Sequence, residues 1–307
     1  MDEKQGIDMK KRNDKFPIAV VITILVSWMI VTTSTLRILL PDTITTMETV
    51  FYMNITSSLA FFVFCLIKKQ KVHIHSPILV LLRSTLGLVG VFLFFLAYQM
   101  SLSLSAGIVI GQLAPIFAVF AMVILMRERI QKKHAIVLTL TLIGSFIGIL
   151  IIANPFSDSS GENWMAVALS LTSSLLAGIS MSVIRKLMEK DSPEQVGLFN
   201  ALFSVVVLSI VLLVTQNFRV LEFRSYLLLF FMGVTNALVV FGMGLASHFA
   251  SPTRTGPYSY SSVVFAPIMQ LLVFGTVISI NVVFGGILIV GVNIFNFLYH
   301  KKQHRKD

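Results

Sequence analysis

A chain of 307 residues with 56% apolar and only 12% charged side chains, and a mean hydropathy of +0.87, excludes an ordinary soluble domain, which needs far more charge to cover its surface. The net charge of +10 resembles a nucleic-acid or anionic-lipid footprint, but the basic residues stand in short clusters between apolar runs, the pattern of a polytopic membrane protein. The single cysteine, Cys65, lies inside an apolar run; it excludes a disulfide framework and reads as a small buried apolar side chain.

The charged stretch 1–16 reads as a cytoplasmic N-terminal tail, and the apolar run after it as a first span, since it lacks the small-residue site of a cleaved signal peptide. A helix rising ~1.5 Å per residue needs about 20 residues to cross ~30 Å of hydrocarbon. By that template the spans of the first half are predicted near 17–36, 45–67, 78–99, 104–126 and 134–153. The linker NPFSDSSGEN, 154–163, follows as an external segment. The second half gives spans near 164–184, 195–215, 225–246, 255–277 and 280–299, and 300–307 is a basic cytoplasmic tail. The third and fourth spans, and the last two, are predicted as tight hairpins.

Orientation follows from the lysines and arginines. With both ends cytoplasmic, 20 of the 24 fall inside, three outside (Arg37, Arg219, Arg224) and one, Arg83, within a span. An even number of spans is required, because an odd one puts the basic tail on the wrong side. The halves 17–153 and 164–299 also match each other at an offset of about 147 residues, with Gly87 opposite Gly233 and Gly144 opposite Gly291. Five spans per repeat force the second to enter from the opposite side. The expected fold is therefore an all-α polytopic membrane protein of ten transmembrane helices in two inverted five-helix repeats, an architecture typical of alternating-access carriers.

Catalytic patterns are missing from the chain: there is no G-x-x-x-x-G-K-[ST], no H-E-x-x-H, and Ser145 in Gly144–Gly148 sits wrongly for a nucleophile elbow. An enzyme is not expected, nor a cofactor or metal. Gly107/Gly111, Gly144/Gly148 and the series Ser170, Ser174, Gly178, Ser182 place small residues on single helix faces, which serves close helix packing or a sliding surface. Charge at membrane depth costs ~2.5–3.5 kcal/mol on insertion scales. Arg83 reads either as snorkelling to the headgroups or as binding an anionic solute. Glu48, the one acidic residue within an apolar stretch, is the candidate for ion or proton coupling unless it faces the headgroups. Asn54, Gln112, Asn200, Asn236 and Gln270 are amides at depth, serving as helix–helix glue or as the lining of a wet cavity.

The stretch SPTRTGPYSYSSVVFAPIMQ, 251–270, interrupts the apolar pattern with three prolines, two tyrosines and a run of hydroxyls. Pro257 lacks an N–H and disfavours continuous helix before it. Irregular backbone at that depth is tolerated only where protein buries it or it lines water. The residues expected to bind a solute are Gln112, Pro115, Tyr258, Tyr260 and Gln270, with Arg83.

Several motifs resemble the drug/metabolite transporter superfamily in its ten-span EamA-type branch. AYQMSLSLSAGIVIGQLAPIFAVFAMVILMRERI is similar to the family's alanine-led fourth span, with Pro115 mid-span and a closing Glu128–Arg129 pair. LIGSFIGILIIANP resembles its fifth span, ASHFASPTRTGPYSYSSVVFAPI its ninth, with Pro257 and Tyr260 on the motif, and GGILIVGV its tenth. The chain departs from the family at Thr276, where a second glutamate is usual, and around Tyr52 and Asn54, where an arginine is common. The resemblance implies a secondary active transporter of small organic metabolites in the cytoplasmic (plasma or inner) membrane, a monomer or homodimer with a coupling ion or proton and no nucleic-acid partner. Tyrosines and amides suit a zwitterionic or aromatic cargo, an amino acid or a derivative such as S-adenosylmethionine; drugs and nucleotide- or vitamin-type metabolites are the alternatives within the fold. Outside it stand a channel and a non-transporting scaffold.

Overall fold

The computed structural model describes residues 16–69, 73–126, 132–153, 163–188, 190–215, 220–250, 255 and 258–303. The N-terminal tail, the linker 154–162, Glu128, Arg129, Pro257 and the last four residues therefore lie outside the described residues. Every regular element among the described residues is a helix, as lipid requires of a spanning segment: without water, each backbone N–H and C=O must be satisfied within its own segment. The first half gives α1 (Phe16–Ile38), α2 (Thr46–Ile67), α3 (Pro77–Gln99), α4 (Leu104–Gly111), α5 (Ala114–Met126) and α6 (Lys132–Ala153). The second gives α7 (Trp164–Leu187), α8 (Pro193–Val214), α9 (Phe223–Phe249), α10 (Ser261–Phe274) and α11 (Ile280–Gln303). Among the described residues α1, α2, α3, α7, α8 and α9 are long and apolar enough to cross a membrane. The apolar stretches Leu104–Ala118, Ile143–Ile152, Ser261–Phe274 and Ile280–Phe295 are shorter.

Local chemistry sets the boundaries. Ser192 and Gln195 form a capping box at the start of α8, with Pro193 in the first turn, where its missing N–H costs nothing. The α3–α4 hairpin turns at Met100–Ser103, with Ser101 at φ 65° and Ser103 accepting from the Ala106 amide. The fourth predicted span is not one continuous helix. α4 stops at Gly111, because the residue whose amide would reach its carbonyl is Pro115; a turn at Gln112–Leu113 intervenes before α5 resumes. In α10 the helix runs through Pro267 and ends on Gly275 in the left-handed conformation (φ 64°). The hydroxyls of α1 are neutralised within the helix: Thr23 donates to the Ala19 carbonyl at 2.8 Å and Thr35 to the Val31 carbonyl at 2.9 Å.

The most extensive packing is between the halves, and it is symmetric. α3 lies on α7 as its positional counterpart α9 lies on α1, and α5 lies on α7 as α10 lies on α1. The counterparts α2 and α8, α4 and α10, and α6 and α11 pack directly on each other. They run antiparallel. Along α6, Gly144 meets Val292, Gly148 meets Ile289, and Ile152 meets Gly285. The backbones touch there: a Cβ on Gly148 would lie 2.9 Å from the Gly285 carbonyl oxygen. Along α2, Lys68 pairs with Glu194 while Phe61 packs on Gly197, the same opposed progression. Large apolar side chains such as Leu66, Ile78, Val206 and Phe284 point outward, as expected of a surface solvated by lipid.

Candidate functional site

Two hollows among the described residues bear on function. The larger, of about 320 Å³, is an open apolar groove lined by Tyr52, Ile55, Thr56, Phe223, Tyr226 and Phe230 among others. Phe223 and Phe230 are largely exposed, so this groove belongs to the lipid-facing surface. The smaller, of about 40 Å³, is more enclosed and far more polar in its residues, and for that reason it is the candidate site. It lies where α2, α3, α8 and α9 meet, part-way along each, and its wall includes Asn54, Arg83, Gly87, Asn200, Ser204 and Asn236.

Counterpart residues build this cavity. Asn54 and Asn200 stand at the same chain spacing as Gly87 and Gly233, so both halves offer an asparagine to one place. Asn54 Nδ2 donates to the Val50 carbonyl at 2.8 Å, and Ser204 donates to the Asn200 carbonyl at 2.9 Å. On the same seam, Ser57 donates to the Gly233 carbonyl at 2.8 Å and receives Asn236 Nδ2 at 3.1 Å. Arg83 departs from the symmetry, since its counterpart at that spacing is the buried Leu229. Arg83 does not snorkel: it is 8% exposed, and Nη1 donates to Asn200 Oδ1 at 3.3 Å while the buried Nε–H has no partner among the described residues. Gly87 makes the room, since a Cβ there would collide with Nη1 and come 3.2 Å from Asn200 Oδ1. The convergence was readable only from the repeat: an asparagine pair at the glycine-pair spacing is the signal.

The other predicted site residues gather elsewhere, on the seam where α4 and α5 meet α10. Gln270 Oε1 accepts from the Ser105 backbone N–H at 3.0 Å and from its hydroxyl at 2.7 Å. Gln112 Nε2 donates to Ser262 Oγ at 2.7 Å, and its Oε1 accepts from Ser259 at 3.1 Å. These amides tie the broken fourth span to α10 and the residues before it. Pro115 sits in the first turn of α5, Tyr260 is buried at the start of α10, and the half-exposed Tyr258 ring meets Phe16 edge-on at 6.2 Å.

Glu48 occupies the third position of α2 in a capping box. Its Oε2 accepts from the Thr45 N–H at 2.8 Å and the Thr45 hydroxyl at 2.9 Å, and its own N–H donates to Thr45 Oγ1. Its Oε1 is buried without a partner among the described residues. The Thr45–Glu48 spacing is the sequence signature of such a cap. At the opposite end of α2, Lys68 pairs with the buried Glu194, and Asp191 accepts from the His75 N–H at 2.9 Å and faces its Nδ1 at 3.0 Å. Both contacts join one half to the other.

The comparisons with known proteins agree with this architecture. No curated protein matches the chain. A solved structure, described only as a crystal structure of a protein, superposes with a TM-score of 0.65 at 14% identity, covering 94% of this chain and 99% of its own, which shows a shared fold. The model of the EamA-like transporter family matches twice, over 15–150 and 164–298, one match to each half. The chain is a multi-pass membrane protein of two repeats and belongs to the EamA-like transporter family, within the drug/metabolite transporter superfamily.

Proposed function

We propose that this protein is a secondary carrier that moves a small organic metabolite across the cytoplasmic membrane by alternating access. In this reading all ten apolar segments span the membrane in two inverted repeats with both termini cytoplasmic; α4 and α5 form one broken span. The antiparallel packing of counterpart helices and the distribution of basic residues support it. The observation that carries the function is the small polar cavity at the junction of four helices, two from each half. A site placed there is exposed to one side or the other when the halves rock, and never needs to move itself.

Arg83, with Asn54 and Asn200, forms the core of the proposed site. Gln112, Pro115, Tyr258, Tyr260 and Gln270 belong to the second seam, which parts and joins the solute path when α10 moves against α4. The cargo is an amino acid or a derivative such as S-adenosylmethionine. Counterflow in proteoliposomes tests the reading: solute trapped inside should accelerate uptake of labelled solute by a carrier. An ohmic conductance in planar bilayers without such acceleration would instead establish a channel, and neither would leave a scaffold.

A further inference from the structure

We infer that Arg83 is the docking point for a carboxylate of the cargo, gripped through the edge of the guanidinium that carries Nε. The inference deepens the carrier reading and rests on it. A buried arginine requires a counter-charge, because a charge withdrawn from water without one is strongly unfavourable. Neither ion pair among the described residues includes Arg83. Every described acid is placed elsewhere: Glu48 caps α2, Glu222 precedes α9, Asp191 faces His75, Glu194 pairs with Lys68, and Asp42 lies in the α1–α2 connection. Among the described residues the cavity wall holds, besides Arg83, amides, one serine and apolar groups and no carboxylate.

The geometry also selects the anion. Nη1 is committed to Asn200, which fixes the plane of the guanidinium and leaves the Nε–H without a partner among the described residues. The Nε–H and the adjacent Nη2 are the fork that holds a planar carboxylate with two parallel hydrogen bonds. A phosphate dianion needs a second cation, and among the described residues Arg83 is the one cation in the wall. The room, about 40 Å³, takes the acid group and not a whole metabolite, so the remainder of the cargo must lie in space that opens between the halves. Because the counterpart of Arg83 is Leu229, the cavity has one charged wall, and the cargo binds in a single orientation.

The test uses the full-length purified protein in detergent, with acetate and its neutral analogue acetamide as probes at constant ionic strength. At ten times its Kd, acetate should raise Tm by about 2–4 °C, and acetamide should not. Arg83→Gln should abolish the acetate response. In case that variant fails to fold, Asn200→Asp supplies a carboxylate next to Nη1; it should raise the ligand-free Tm and remove the acetate response. Equal responses to both probes, none to either, an acetate response that survives Arg83→Gln, or a lower Tm in Asn200→Asp would each overturn the carboxylate site. Counterflow read in parallel separates the two ideas. A carrier that shows counterflow but no acetate response loses only the carboxylate site, whereas an acetate response without counterflow loses the carrier.

Discussion

Gly87 carries no side chain because the space beside its Cα belongs to the Arg83 guanidinium. A methyl there meets the far end of a flexible side chain and not backbone, so the arginine can swing aside and the helix survives. Gly87→Ala should therefore leave the unfolding free energy within about 1 kcal/mol of wild type while displacing Nη1 from Asn200 and lowering transport at least about tenfold, the cost of ~1.4 kcal/mol in binding. Unaltered transport kinetics in that variant would show that the Arg83–Asn200 contact is not part of the site. Glu48 calls for the opposite pair of outcomes. A capping box accepts glutamine at its third position, so Glu48→Gln should fold normally, whereas Glu48→Ala should lose about 1 kcal/mol of stability. If the cap is the whole role of Glu48, the pH profile of counterflow in Glu48→Gln matches wild type; a flattened profile assigns it the coupling proton.

The ends of α2 and α8 form a latch at the level of whole elements. Lys68 at the end of α2 pairs with Glu194 in the first turn of α8, and the Lys68 ammonium also lies 5.4 Å from the Phe241 ring centre of α9. One helical turn below lies Cys65, the chain's single cysteine, 3% exposed and packed with Phe61, Leu198, Ala201 and Ala237. Parting α2 from α8 at this end must wet that thiol, so the protein carries its own reporter of opening. Glu194→Gln should raise the rate of maleimide labelling at Cys65 on the order of tenfold, as a loss of ~1.4 kcal/mol from the closed state gives. An unchanged rate would mean that apolar packing alone keeps this end shut. Much at this scale was legible in the sequence, since helix positions followed from runs of apolar residues. The break at Gln112–Leu113 was half-legible, since Pro115 is visible but the sequence does not say whether the span bends or parts. Which face of each helix looks inward was not legible. Lipid and protein interior are both apolar, so a membrane helix has no polar side to betray its orientation, and Asn54, Arg83 and Asn200 converge only once α2, α3 and α8 are packed.

At the scale of the molecule, the repeats are not two domains in sequence. Among the described residues the helices of each half pack mainly on those of the other: α1 on α9, α2 on α8, α3 on α7, α5 on α7 and α6 on α11. The main apolar core draws from both, with Val50, Phe95 and Ile110 in one cluster with Val167, Leu229 and Ile289. The antiparallel pairing of counterparts means that neither half presents a finished surface to lipid when alone. Its glycines, such as Gly148 and Gly285, would expose backbone that only the other half can cover. Expressed alone, residues 1–153 or 154–307 should therefore fail to give a monodisperse species in detergent. Co-expressed, the two fragments should copurify and recover counterflow, because the contacts that define the fold form after insertion and do not depend on the linker. Fragments that are separately stable and fail to associate would show that packing within each repeat outweighs packing between them. The cavity at the junction of α2, α3, α8 and α9 would then lose its physical basis as a site held jointly by two halves that rock about it.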